Sequence, residues 1–388
     1  MTSSFKFIDL FCGMGGFHRA LTNLGGECVF ASDIDKKCQD TYESNFGMRP
    51  VGDIRAVRPE DVPDHDVLCG GFPCQPFSNA GRRGAFEDVR GTLFEDIAKI
   101  VSAKQPRLLI LENVKGIKSI QGGHVYRTIY GVFESLGYTM KDIVMSPDMF
   151  GVPQNRERVY FIAMKGDVAL PELPRPQPCA ILDSSADPKY NIPAELEAVF
   201  SMWDEILQTL IGNKVGVPII LDYFTEDETE VGIAAWKKGY IIKNKEIYNR
   251  QPAVWDAWMA KHGALLKKKA VYRKMEWQAG PIKQGDTVLK NHFIQLRQSG
   301  IRIKNATTFP TLVAIVQTSI VGDQKRYITP RECARLQSFP ETQALHPNDK
   351  VAYKQLGNSV NVNVVEHVAR HALQMAGIHE NGSGLINV

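Results

Sequence analysis

The sequence predicts an α/β protein built on a Rossmann-like mixed sheet, with a second, smaller domain set into it. Three observations lead there. Residues 5–35 read as strand, glycine turn, helix, strand and acidic residue, the order of a nucleotide-binding βαβ unit. Further short apolar runs end in residues that carry chemistry: Gly71-Phe72-Pro73-Cys74 follows residues 66–70, and Glu112-Asn113 follows residues 108–111. The alternation of strands and helices then stops at residue 165 and resumes near residue 327.

Residues 5–11 (FKFIDLF) are a near-continuous apolar run, as a strand covered on both faces requires. The run ends in Cys12-Gly13-Met14-Gly15-Gly16, and a helical pattern through Phe17, Ala20, Leu21 and Leu24 is stopped by Gly25-Gly26. A second strand, residues 28–31, ends at Ser32-Asp33-Ile34-Asp35, and an amphipathic helix through Cys38, Tyr42 and Phe46 follows. Glycines let a ligand approach the backbone, and an acid at the end of the second strand can hold ribose hydroxyls. His18 stands where the dinucleotide fingerprint needs its third glycine, which disfavours nicotinamide and flavin cofactors. S-adenosylmethionine carries a ribose and no phosphate, so it suits this arrangement. Gly52-Asp53-Ile54 adds an acid for an adenine amino group.

Strand 66–71 leads to Cys74, a thiol fixed between two prolines on a stiff loop. The polar segment 79–91, with Arg82, Arg83 and Arg90, is suited to closing over an anionic substrate. A helix over 92–102, a strand over 108–111, a helix near 126–136 and a strand over 159–164 complete the first part. Residues 170–178 (LPELPRPQP) hold four prolines and read as a linker. Thr329-Pro330-Arg331-Glu332 starts a helix, and a last helix runs from about 355 through Val364, Val368 and Leu373. Residues 380–388 read as a disordered tail.

Composition narrows the function. No apolar run approaches the ~18 residues that span a bilayer, and the amino terminus has no secretory pattern, so a cytoplasmic location is expected. Seven cysteines without a C-x-x-C pair argue against a disulfide framework and a zinc site, and no metal is expected. The net charge is only +3, but it is unevenly spread. Residues 231–304 hold 16 Lys and Arg against 4 Asp and Glu, and residues 195–230 hold 1 against 9. Trp236, Tyr240, Tyr248, Trp255, Trp258, Tyr272 and Trp277 are interleaved with the basic residues, a mixture that suggests a polyanion-binding surface. Lys267, Lys268 and Lys269 are its densest cluster, expected on phosphates.

Six motifs in order carry a family resemblance: FIDLFCGMGGF at 7–17, GFPCQPFS at 71–78, ENV at 112–114, QNRERVYFI at 154–162, RECARLQSFP at 331–340 and YKQLGNSV at 353–360. The chain resembles the DNA (cytosine-5-)-methyltransferases of bacterial restriction-modification systems. The resemblance implies a methyltransferase fold that binds S-adenosylmethionine and releases S-adenosylhomocysteine. It implies a catalytic domain over residues 1–165 and 326–388, and a target-recognition domain over 166–325. Cys74 matches the nucleophile, Glu112 the residue acting on nitrogen 3 of cytosine, Arg158 the holder of the exocyclic oxygen, and Arg156 its neighbour that orders the cysteine loop. Phe11, Gly13, Met14 and Gly15 match the methionine end of the cofactor site. Asp33 matches the ribose position, Ile34 the place where relatives set an aromatic against adenine, and Asp53 with Ile54 the adenine edge. Asn358 and Val360 complete the pocket.

Gln75, Ser78, Arg90, Arg297, Arg302 and Thr311 are expected to contact duplex DNA, the two middle-region arginines at guanine edges. The expected protein is a monomer that flips its target base, with a separate cognate restriction endonuclease as a possible companion. Ala80 stands where relatives can carry a hydroxyl, so the residue filling the gap comes from elsewhere. Two other readings fit less well: a transfer-RNA cytosine methyltransferase of the same fold, and a catalytically silent DNA-binding regulator.

Overall fold

The computed structural model describes residues 5–73, 92–211, 215–229, 231–314 and 318–378. It separates into two compact units. The first comprises Met1–Ile181, Leu312–Ile315 and Pro330–Val388, and the second Leu182–Thr311 and Val316–Thr329. These limits differ from those expected. The proline-rich stretch belongs to the first unit, because it is strapped there by backbone carbonyls. His367 bonds to the carbonyl of Glu172, His371 to that of Ala169, and Arg335 donates to that of Ile181.

The first unit is a six-stranded mixed sheet in the order β2-β1-β3-β4-β6-β5. Its strands are β1 (Phe5–Leu10), β2 (Gly26–Ser32), β3 (Val67–Gly71), β4 (Leu108–Val114), β5 (Thr139–Met145) and β6 (Arg158–Met164). The first four are parallel, and β6 runs antiparallel to both of its neighbours. Alternate residues take opposite faces. Ile8, Leu10, Leu68, Leu109, Leu111 and Phe161 pack with helices α3 (Leu93–Lys104) and α4 (His124–Ser135) in one continuous core. On the other face Phe7 meets His18 of α1 (Gly16–Asn23), and the buried Asp9 carboxylate accepts the His18 backbone N–H. Helix α2 (Lys36–Phe46) follows β2, capped by the Asp35 side chain. The sequence reading missed β5, an edge strand that is only partly buried and has no clean apolar run.

The second unit is a sheet of short strands in the order β12-β11-β9-β10-β8-β7: β7 (Ile219–Ile220), β8 (Lys274–Trp277), β9 (His292–Arg297), β10 (Gly300–Asn305), β11 (Ile320–Val321) and β12 (Arg326–Tyr327). Its helices are α5 (Ala194–Leu207), α6 (Ala235–Asn249) and α7 (Pro252–Leu266). The aromatic residues expected on a polyanion surface mostly form its core. Trp203, Trp255, Trp258, Tyr272 and Trp277 are buried together, and the indole N–H of Trp258 donates to the carbonyl of Met202. Trp236, at 65% exposure, does lie at the surface.

The opposite charges of residues 195–230 and 231–304 fold onto each other. Lys237 pairs with Glu226, Lys245 with Glu228, Lys261 with Glu205, Arg273 with Asp222, and both Lys268 and Lys269 with Glu195. Much of the apparent basic excess is thus neutralised within the unit, and the 267–269 cluster is two-thirds engaged.

The chain returns to the first unit as α8 (Pro330–Leu336), α9 (Asp349–Asn358) and α10 (Val362–Met375). Helix α10 packs chiefly on α1. Among the described residues no helix is long and apolar enough to cross a membrane.

The core assignment is checked by substitution. Trp258→Ala should cost about 3–5 kcal/mol in denaturant unfolding of the second unit, the range for emptying a buried tryptophan site. Lys268→Ala should cost a small fraction of that, its pair being at the surface. Equal losses would place Trp258 outside the core.

Candidate active site

The turn after β1 is shaped by residues that accept positive φ. Phe11, Gly13 and Gly15 have φ of 56°, 54° and 89°. At Gly15 there is no room for a side chain: a Cβ would lie 2.1 Å from the Phe46 ring. At Gly13 nothing lies within 4 Å, so its backbone faces open space. Asp33, just beyond β2, holds this turn in place. One carboxylate oxygen accepts the Gly13 N–H at 2.8 Å and the other accepts the Asp35 N–H at 2.8 Å. Burial raises the Asp33 pKa, and these two N–H groups oppose the rise.

The turn opens on a cavity of about 600 Å³ within the first unit. Of the expected cofactor residues, Phe11, Gly13, Asp33, Ile34, Asp53, Ile54, Asn358 and Val360 line it. Met14 and Gly15 do not: Met14 is buried at 1% exposure, and Gly15 backs onto Phe46. Their part is to build the turn. Ile34 is 67% exposed, an apolar surface left open beside the half-buried Asp33 carboxylate. Ser32 Oγ, on the same wall, is buried with no hydrogen-bond partner among the described residues. Asp53 is gripped by Arg55, whose side chain and backbone N–H both donate to it and hold its pKa below the usual range. An acid for hydroxyls, an uncovered apolar side chain and an unpaired hydroxyl fit a nucleoside such as that of S-adenosylmethionine.

The opposite wall belongs to strand ends. Gly71 ends β3 and Phe72 and Pro73 follow it, while Glu112 and Asn113 lie near the end of β4, just before Val114. Gly70 must be glycine, since a Cβ would sit 2.6 Å from the Leu10 carbonyl oxygen. Glu112 is buried and pairs with Arg158, Nε to Oε1 at 3.0 Å. Burial raises the Glu112 pKa, and Arg158 and Arg156 pull it back. Arg158 also donates to the Glu157 carbonyl at 2.8 Å. Arg156 is 4% exposed and spends its guanidinium on carbonyls: Leu312 at 2.6 Å, Gly357 at 2.8 Å and Ser359 at 2.9 Å.

Asn113, to which the sequence assigned no role of its own, donates to the Phe72 carbonyl at 2.9 Å and so fixes the approach to the cysteine loop. The ENV motif was its only signal. Cys74, Gln75, Ser78, Ala80 and Arg90 lie outside the described residues, as does the 380–388 tail.

In the second unit, Thr311 is half-buried. Arg302 on β10 has its fork on Glu276 of β8, at 2.9 and 3.2 Å. A guanine edge would have to displace that carboxylate. Arg297, at the end of β9, has a buried Nη1 with no partner among the described residues. Among the described residues no group of three or more His, Cys, Asp or Glu could hold a metal ion.

Comparison with known proteins agrees with this geometry. The sequence profile of the C-5 cytosine-specific DNA methylases matches residues 5–374. Type II methyltransferase M.HhaI of Haemophilus parahaemolyticus is 32% identical over 364 residues, 94% of this chain and 93% of that protein. Type II methyltransferase M.HpaII of Haemophilus parainfluenzae is 33% identical over 396 residues, 97% and 91% of the two chains. In fold, the chain is similar to Entamoeba histolytica methyltransferase EhMeth, with TM-score 0.55 and 16% identity over 95% of this chain and 98% of that one. It is also similar to a putative DNA modification methyltransferase encoded within a prophage (E. coli), with TM-score 0.55 and 19% identity over 96% and 99%.

Asp33→Ala removes the acceptor that both shapes the turn and faces the cavity. S-adenosylmethionine affinity should fall by about 1–3 kcal/mol, the worth of hydrogen bonds to a charged acceptor, with duplex affinity less affected. Unchanged cofactor affinity in calorimetry would refute the placement.

Proposed function

This chain belongs to the C-5 cytosine-specific DNA methylase family and is a DNA (cytosine-5-)-methyltransferase, and from that premise we propose how its residues divide the reaction. Carbon 5 of cytosine is a poor nucleophile. Addition of the Cys74 thiolate to carbon 6 makes the ring an enamine, nucleophilic at carbon 5. Glu112, carrying a proton, donates to nitrogen 3 and relieves the charge that addition places on the ring. Arg158 holds the exocyclic oxygen while keeping Glu112 in place. Bound S-adenosylmethionine supplies the methyl sulfonium. Asp33 and the Gly13 turn grip its nucleoside, Ile34 and Ile54 cover its apolar faces, and Asp53, Asn358 and Val360 close the pocket. A base then removes the carbon 5 proton and the thiol leaves.

One observation carries this reading: the buried Glu112–Arg158 pair and the glycine turn share one cavity, and Pro73, the residue before Cys74, lies on its wall. The target carbon is inside a duplex, so the base is flipped out to reach it. The second unit is the target-recognition domain, with Arg297 and Arg302 as base contacts. Gln75, Ser78, Arg90 and Thr311 are further contacts to the duplex. The similarity to type II methyltransferases supports a role in DNA modification, and we propose that the enzyme acts as a monomer alongside a separate nuclease.

Cys74→Ser should abolish methylation and leave duplex binding in place. A duplex with 5-fluorocytosine at the target should trap an adduct on Cys74, because fluorine cannot be removed as the proton is. No adduct in the presence of cofactor would sink the covalent step, and methylation of transfer RNA in place of DNA would overturn the substrate.

The pH profile tests Glu112. Its pKa is raised in the fold, so the protonated form persists above the ordinary carboxyl range and is lost as pH rises through the raised value. The rate constant for methyl transfer should follow that loss, and Glu112→Gln should remove this limb while lowering the rate by about 10²–10⁴. An unaltered profile in the variant would assign the proton elsewhere.

A further inference from the structure

At Leu312–Ile315 the chain leaves the second unit, joins the first, and then goes back. Leu312 is gripped there by its backbone from two sides. Gln154 Oε1 accepts its N–H at 3.0 Å, and Arg156 Nη1 donates to its carbonyl at 2.6 Å. The other arm of the same guanidinium donates to the carbonyls of Gly357 and Ser359, the residues on either side of Asn358 in the nucleoside cavity. Gln154 is fully buried, and its Nε2 donates to the Leu336 carbonyl at 3.0 Å. Gly357 itself is pressed on the segment: a Cβ there would lie 2.4 Å from the Val313 backbone. A close-packed knot of this kind transmits displacement rather than absorbing it. Any shift of residues 312–314 must move the guanidinium, the 357–359 turn, or both.

We propose that Gln154 and Arg156 are positioning residues that couple nucleoside binding in the cavity to duplex binding by the second unit, through the backbone of Leu312. The inference rests on the assignment of the cavity to S-adenosylmethionine. Coupling of this kind is reciprocal: the factor by which duplex tightens the nucleoside equals the factor by which the nucleoside tightens the duplex.

The test uses the full chain, S-adenosylhomocysteine, and a duplex bearing the site mapped by sequencing the cytosines it methylates. Nucleoside affinity is measured by calorimetry with and without duplex, and duplex affinity with and without nucleoside. In the unaltered protein both ratios should agree and exceed about fivefold. Gln154→Met, which loses both side-chain hydrogen bonds, should bring the ratio near one while free-protein nucleoside affinity stays within about twofold. Gln154→Glu keeps the acceptor for the Leu312 N–H and should retain the ratio, which a merely structural role would not predict. Arg156→Lys keeps the charge but cannot span both carbonyl sets, so it should lose the ratio even if Gln154→Met does not fold. A Met variant with the original ratio, or an unaltered protein whose ratio is one, overturns the coupling and leaves the pocket assignment standing. An unaltered protein that binds no nucleoside overturns the pocket assignment, and the coupling with it.

Discussion

A buried guanidinium is the constraint on which the first unit depends. Arg156 is withdrawn from water, a costly state for a fixed cation unless its N–H groups are met. Burial lowers its pKa, and three carbonyls meet its Nη1 and Nη2 groups, while Nε has no partner among the described residues. Those carbonyls come from residues 156 to 203 positions further along the chain. The loop before β6 therefore cannot be completed by local structure. It waits for the end of α9 and for the segment at 312, and in recruiting them it closes the cavity with Asn358 and Val360. The site is assembled by the same bonds that return the chain to its first sheet.

The chemistry of the cavity follows from where strands end. Parallel strands deliver their carboxyl ends to one edge, so the glycine turn after β1, Asp33 after β2, Pro73 after β3 and Glu112 on β4 converge without being near in sequence. Glu112 then has two opposed influences upon it. Removal from water favours its neutral form, while Arg158 at 3.0 Å favours its charge. Desolvation wins, which keeps available a carboxyl that can donate.

The parts legible in the sequence were those whose cause is local. Residues 5–11 read as a strand because both faces are covered, and Gly13 and Asp33 read as a ligand turn because their types are demanded by φ and by hydroxyl binding. Met14 and Gly15 carried the same motif signal, yet their contacts are with the core and Phe46, which only packing reveals. The tryptophans among the lysines misled for a related reason. Their neighbours in sequence are exposed lysines, while their neighbours in space are α5 and β8. The basic stretch could not be read as largely neutralised, because its acids lie many positions earlier in the chain, as Glu195 lies 73 residues before Lys268. Gln154 and Asn113 gave little sign because their partners are backbone carbonyls and N–H groups, which nearly every residue type supplies.

The grip on Leu312 has a consequence for how such proteins diversify. Both of its bonds fall on main-chain atoms, so any residue except proline can occupy the position and keep them. A recombination event that exchanged the whole interval between Ile181 and Pro330 for another sequence would import a foreign residue at this joint and still find it held. The two bonds are thus indifferent to side-chain identity, and the interval can change in sequence while the first unit keeps its hold on this position.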